Sequence, residues 1–129
     1  MPNLKDFVKL VPDPRIGGFY AHQLRALICR DTGYTLRHEF THALHLADIS
    51  SRRQSHPIWI TEGLSTCFED SELRYGNVVP KYNGRIDQMK ELINTGKSIP
   101  WQTLAKMDQK AFMEKPQECY AEVRAIFYW

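Results

Sequence analysis

The 129-residue chain holds no apolar run long enough to span a membrane, and residues 1–10 contain no apolar stretch of signal-peptide length. Cysteine is scarce and odd in number. Cys29, Cys67 and Cys119 have no paired spacing, which argues against a disulfide framework, favours a reducing compartment, and suits small buried apolar residues better than metal ligands. Charge of one sign is lacking too: 17 basic against 15 acidic residues leave a net +2. Arg52-Arg53 is the densest basic pair, and no basic stripe with interleaved aromatics exists, so neither nucleic acid nor a membrane surface is an expected partner. There is no internal repeat and no low-complexity linker. With 43% hydrophobic and 25% charged residues, the chain reads as one globular domain, 1–129, with a modest core.

Against these absences stands one pentapeptide, His38-Glu39-Phe40-Thr41-His42. Two histidines four residues apart lie about 40° apart around an α-helix, so both imidazoles can reach one metal ion from the same side. Glu39 follows the first histidine and leaves the helix beside that ion, where a general base for a metal-bound water belongs. The plainer alternative is a pair of surface histidines on a solvated helix. A catalytic zinc ordinarily takes three protein ligands and keeps one position open, so a third ligand is expected. Glu62, twenty residues after His42 in Trp59-Ile60-Thr61-Glu62-Gly63-Leu64-Ser65, is the candidate. Pro57 suits the first turn of a second helix, with Ser55 or His56 as entry residue. Gly63 costs that helix roughly 1 kcal/mol relative to alanine, which a close approach of the two zinc helices would explain. Taken alone, Glu62 would be a surface glutamate; with His38 and His42 at this spacing it reads as the ligand.

These two motifs resemble the gluzincin metallopeptidases, in which a glutamate on a second helix completes a His/His/Glu zinc site. The nearest pattern is that of bacterial peptidase-like domains of that clan, T-L-x-H-E-x-T-H-A-L-H followed by H-P-x-W-x-x-E-G-L-A. Residues 35–45 and 56–65 nearly match it, and weaker similarity runs from Gly17-Gly18-Phe19-Tyr20 to Tyr120-Ala121-Glu122. The resemblance implies one zinc ion on His38, His42 and Glu62, with Glu39 as base and proton shuttle. It implies an outer carboxylate at Glu69, seven residues past Glu62, holding a ligand histidine from behind; a solvated glutamate is the alternative there. Thr66 stands where the thermolysin branch has an aspartate, so that branch's supporting carboxylate is missing. Tyr120 is the candidate donor to the oxyanion, with a core tyrosine as alternative. The family pattern continues with a small residue and tryptophan, whereas this chain has Val123-Arg124.

The activity implied is hydrolysis of a peptide or protein substrate. The aminopeptidases of the clan hold the free amine with a G-x-M-x-N strand and extra acids that Gly17-Gly18-Phe19-Tyr20 does not offer, which favours an endopeptidase. The strand with Leu27 to Arg30 is expected to pair with an extended substrate. The rival reading from another class is a zinc-binding interaction domain without hydrolytic activity. A metal-free helical domain would require both motifs to be accidental. Asp48 as third ligand would need a helix-breaking glycine where His45 stands, so Asp48 reads as the helix end and His45 as a packed or hydrogen-bonded histidine. Glu62-Gly63-Leu64-Ser65 is similar to the E-G-C-L-S of peptide deformylases, but the motif order is reversed and the cysteine is absent.

The expected architecture is α+β and zincin-like, a small sheet followed by a mainly helical part carrying the site. Turns fall at Pro12-Asp13-Pro14 and Gly17-Gly18, and strands at 19–20 and 25–30. After a turn at Thr32-Gly33, helices follow at 35–47, 57–71 and 85–94. Short pieces come after Pro100 and Asp108, and a last helix starts near Pro116. Leu36, Phe40, Ala43, Leu44 and Ala47 are expected to face the core from the first helix, and Ile86, Met89, Leu92 and Ile93 from the third, which Gly96 ends. The apolar end, Ala125-Ile126-Phe127-Tyr128-Trp129, and the reduced sheet suggest a fragment of a longer protein, compatible with a secreted parent.

Overall fold

A computed structural model describes residues 16–21 and 23–129; the turn expected at Pro12-Asp13-Pro14 lies outside them. The fold is α+β and small. An antiparallel hairpin, β1 (Gly18–Ala21) and β2 (Ala26–Cys29), precedes helices α1 (Tyr34–Ser51) and α2 (Ile58–Glu69). A second antiparallel hairpin, β3 (Ser71–Arg74) and β4 (Asn77–Pro80), leads into α3 (Gly84–Asn94), the short α4 (Trp101–Leu104) and α5 (Gln109–Glu114), and finally α6 (Pro116–Tyr128). The second hairpin was not expected from the sequence. Its turn is the two-residue Tyr75-Gly76 with positive φ at both positions, 52° and 81°, the twist that tight hairpins favour. Among the described residues no helix is long and apolar enough to cross a membrane.

Helix ends follow local chemistry. Asp31 accepts the Gly33 N–H at 2.7 Å and the Thr35 hydroxyl, seating the first turn of α1. Asp48 does not end α1. The helix runs on to Ser51 and closes with Arg53 in the left-handed region (φ 53°), where Gln54 N–H bonds the Ile49 carbonyl at 2.9 Å. This closure normally uses glycine, so its sequence signal is absent. Helix α3 ends as expected at Gly96 (φ 67°), with Lys97 N–H on the Leu92 carbonyl. Pro57 is the cap of α2 rather than its first residue. Asn83 and Asp108 cap α3 and α5 through their side chains, and Pro116 opens α6.

Helix α2 packs against both α1 and α6, and α3 packs against α6. The core gathers Leu104, Phe112, Cys119 and Val123, flanked by Ile58, Trp59, Ile99, Met107 and Tyr120. Cys67 is buried as well, while Cys29 is half-buried. Two packing expectations are corrected. Phe40 (51% exposed) and Leu44 (57%) face outward beside Phe68, and Ala47 is exposed, because the inward face of α1 carries His38 and Ile49 instead. On α3, Ile86 and Leu92 are buried and Met89 half-buried, but Ile93 is exposed. Gly63 does permit a close approach, though not by α1: a Cβ there would stand 2.3 Å from the Phe127 ring of α6. Arg124, fully buried, donates to the carbonyls of Thr66 (2.7 Å), Cys67 (2.9 Å), Asp70 (3.3 Å) and Lys81. It ties the end of α2 and the second hairpin to α6, satisfying carbonyls that a helix end leaves open.

Candidate metal centre

The pairing of α1 with α2 brings His38, His42 and Glu62 to one point. His38 Nε2 lies 3.1 Å from His42 Nε2 and 3.1 Å from Glu62 Oε2, and His42 Nε2 lies 3.3 Å from the same oxygen. For a four-coordinate ion about 2.0–2.1 Å from each nitrogen or oxygen, ligand atoms stand about 3.3 Å apart. The three atoms therefore match one face of a tetrahedron. This group could hold a metal ion, and it is the one such group of three or more among the described residues. None of the cysteines joins it.

Behind the triangle, Glu69 Oε2 lies 2.9 Å from His38 Nδ1. Seven residues beyond Glu62 is two turns of α2, so both carboxylates flank the same imidazole from opposite sides. With Nδ1 bound to Glu69, Nε2 points at Glu62 and His42, as an outer carboxylate on a ligand histidine would require. Arg85, at the start of α3, holds Glu69 in turn: Nε to Oε1 at 2.5 Å and Nη2 to Oε2 at 3.4 Å. Arg37 Nε bonds the Glu69 carbonyl at 2.8 Å. Nothing in the sequence marked Arg85. It stands sixteen residues from Glu69, and only the reversal of the chain through β3 and β4 returns it.

Protonation follows from this wiring. Burial alone would lower the His38 pKa, but hydrogen bonds and charge from Glu62 and Glu69 raise it to about 9. Burial would raise Glu62, yet the hydrogen bonds of His38 and His42 bring it down to about 2. Glu69 is lowered against its burial by His38 and Arg85. Glu39 moves the other way. Burial raises its pKa, His38 and His42 pull it down, and Glu62 pushes it up again. Among the described residues no hydrogen-bond donor reaches its carboxylate.

Tyr120 packs both in the core and against His38. Its ring packs on Phe112 in the core, 5.2 Å between centroids, and edge-on to His38 at 5.9 Å. Burial and the nearby Glu62 carboxylate raise its pKa, while Arg85, whose guanidinium carbon is 4.8 Å from the ring centroid, lowers it. The phenol therefore stays protonated and able to donate.

These side chains line a cleft of about 810 Å³ whose walls include residues 16–20, Thr35, His45, Leu46, Ile49, Ile58, Met113 and Pro116. The strand at its edge is β1. The strand from Leu27 to Arg30, expected to meet an extended ligand, lies on the far side of β1 and contributes nothing to the lining. Gly17 and Gly18 let β1 ride over the N-terminus of α1: a Cβ on Gly18 would stand 2.8 Å from Thr35 Cγ2 and 2.9 Å from the Ile28 carbonyl. His45 is hydrogen-bonded, as anticipated, to His56 at 2.8 Å, and Asp48 binds Arg52 at 3.2 Å; neither joins the triangle.

A family model described as "Protein of unknown function (DUF1570)" matches residues 33–129. That span contains His38, Glu39, His42, Glu62, Glu69, Arg85 and Tyr120, and leaves out the first hairpin, what precedes it and the three residues after it. No curated protein and no solved structure matches the chain.

Proposed function

The chain belongs to the DUF1570 family, and we propose that it is a zinc-dependent endopeptidase with a gluzincin-type His/His/Glu centre. The observation that carries this reading is the triangle of His38 Nε2, His42 Nε2 and Glu62 Oε2, with edges of 3.1–3.3 Å and Glu39 in the same cleft. Two imidazoles and a carboxylate are a zinc ligand set that leaves one position open. When bound, the ion supplies a Lewis acid and a water acidified to a pKa of about 7.

The rest of the chemistry falls to the protein. Glu39 accepts a proton from the attacking water and returns it to the leaving amine. Its burial favours this exchange, since a raised carboxyl pKa narrows the gap between its two duties. The Tyr120 hydroxyl, kept protonated, donates to the carbonyl oxygen as negative charge gathers there. β1 lines the edge of the cleft, and an extended peptide would lie along it beside the centre. Glu69 and Arg85 keep the His38 ring turned toward the centre throughout.

The test compares wild type with Glu39→Gln, measuring bound zinc and cleavage of a mixed peptide library by mass spectrometry. Zinc should be equal in both proteins, while cleavage should fall by about 10²–10⁴-fold in the variant. Equal, nonzero cleavage would remove Glu39 from the mechanism. A zinc-loaded wild type without cleavage would leave the non-catalytic zinc-binding domain as the reading.

A further inference from the structure

His45 and His56 stand apart from the triangle. His45 lies on α1, three residues past His42, and His56 on the exposed segment just before the Pro57 cap of α2. Two different elements thus deliver two imidazoles to one place. Their nitrogens Nε2 and Nδ1 are 2.8 Å apart, with ring centroids at 4.9 Å and planes tilted by 39°.

The pairing is a single hydrogen bond between two bases, and among the described residues no carboxylate hydrogen-bonds either ring. Asp48, the acid whose charge reaches His45, is occupied by Arg52 in an exposed ion pair. Burial and the neighbouring His56 and His42 lower the His45 pKa, so its imidazole is neutral at neutral pH with a lone pair to offer. Neutral imidazole nitrogens are the donors that late divalent transition metals prefer.

The separation indicates which metals. Cis ligands about 2.0 Å from an ion of square or octahedral geometry stand about 2.8 Å apart, against about 3.3 Å on a tetrahedron. The His45–His56 nitrogens stand 2.8 Å apart, at the first spacing, whereas the triangle has the longer edges of 3.1–3.3 Å. Loading an ion would displace the shared proton and turn both rings so that their lone pairs converge on it, which the exposed segment carrying His56 permits. His45 also lines the cleft, so the ion would stand at its edge.

We propose that His45 and His56 form a second metal site, distinct from the His38–His42–Glu62 group, for a divalent ion of square or octahedral preference such as nickel(II) or copper(II). Water completes its coordination. The assignment does not depend on the peptidase reading, since it uses none of that site's residues.

The test is a nickel(II) titration of the tag-free chain, preloaded with zinc and followed by calorimetry, with released zinc measured in parallel. Wild type should take up one nickel per chain without releasing zinc. His56→Ala and His45→Ala should each bind it at least about tenfold more weakly. His56 lies in an exposed segment, and unchanged far-ultraviolet dichroism would show that its variant folds. Nickel uptake accompanied by equal zinc release would place the ion in the triangle and overturn the proposal, as would unchanged affinity in His56→Ala or no uptake by wild type. If the chain takes up no zinc, the gluzincin reading fails by itself, and the variants still decide the nickel site.

Discussion

Glu69 Oε2 sits 2.9 Å from His38 Nδ1, on the side of the ring opposite Glu62 Oε2 at 3.1 Å from Nε2. One imidazole is thus held between two carboxylates that come from the same helix, two turns apart. The arrangement fixes which nitrogen faces the centre, and it does so with buried charge that neither helix would tolerate alone.

Removing Glu62 tests the triangle itself. In Glu62→Ala the two histidines keep their helix but lose the oxygen common to both, and the open face of the site loses its negative charge. Zinc affinity, measured by competition with a chelator, should fall by more than the about 10–100-fold that loss of an outer partner costs. Unchanged affinity would exclude Glu62 as a ligand.

The outer pair should give a graded response. Glu69→Gln keeps the size of the side chain but weakens the hold on His38 Nδ1, and a loss of about 10–100-fold in zinc affinity is expected. Arg85→Leu leaves Glu69 in place but frees its carboxylate from two hydrogen bonds, so its effect should be smaller and in the same direction. A larger loss for Arg85→Leu than for Glu69→Gln would mean that Arg85 acts by some route other than Glu69.

The pH dependence of the metal-free protein has a definite sign. His38 is raised to about 9 in the fold, above its ordinary 6.5, so folding favours its protonated form. That stabilisation is fully present below about pH 6.5 and is lost as pH rises through about 9. Glu62 and Glu69, both lowered, add stability above the usual carboxylate range that disappears only in acid, near pH 2 for Glu62. The urea midpoint of chelator-treated protein should therefore drop between pH 6.5 and 9.5. His38→Ala should flatten that drop; an equally steep one in the variant would assign it to other groups.

Gly63→Ala sets two effects against each other. Alanine gains about 1 kcal/mol in a helix interior, but the added Cβ would stand 2.3 Å from the Phe127 ring, and overpacking costs about 1–3 kcal/mol. Phe127 also packs near Trp59, with centroids 6.2 Å apart, which limits its retreat. The steric term should win, lowering the urea midpoint at constant slope. A raised midpoint would show that α6 can move away from α2 at little cost.

The α1 motif and the starts of α5 after Asp108 and of α6 at Pro116 could be read from the chain because each is written within one or two helical turns, where spacing and capping chemistry act directly. Glu62 could be read for a related reason, since a helix on either side of a short return must bring it near the histidines. The end of α1 could not, because Arg53 takes the left-handed position where a glycine would have marked it. Nor could the second hairpin, whose four-residue strands are too short for a clear alternation. The outward turn of Phe40 and Leu44 ran against the rule that apolar positions face the core, since the site claimed the inner face of the helix.

By itself the sequence determined two histidines and a glutamate able to hold a metal, their spacing along two helices and the second glutamate, Glu39, beside them, which are properties of local geometry. Only the tertiary structure decided what supports them. Arg85 reaches Glu69, Arg124 reaches the end of α2, Phe127 fills the space left by Gly63, and β1 rather than β2 edges the cleft. Each of these joins positions at least sixteen residues apart or sets the stacking of whole elements. Packing selects such pairings through shape and desolvation, and no short pattern in the chain encodes either.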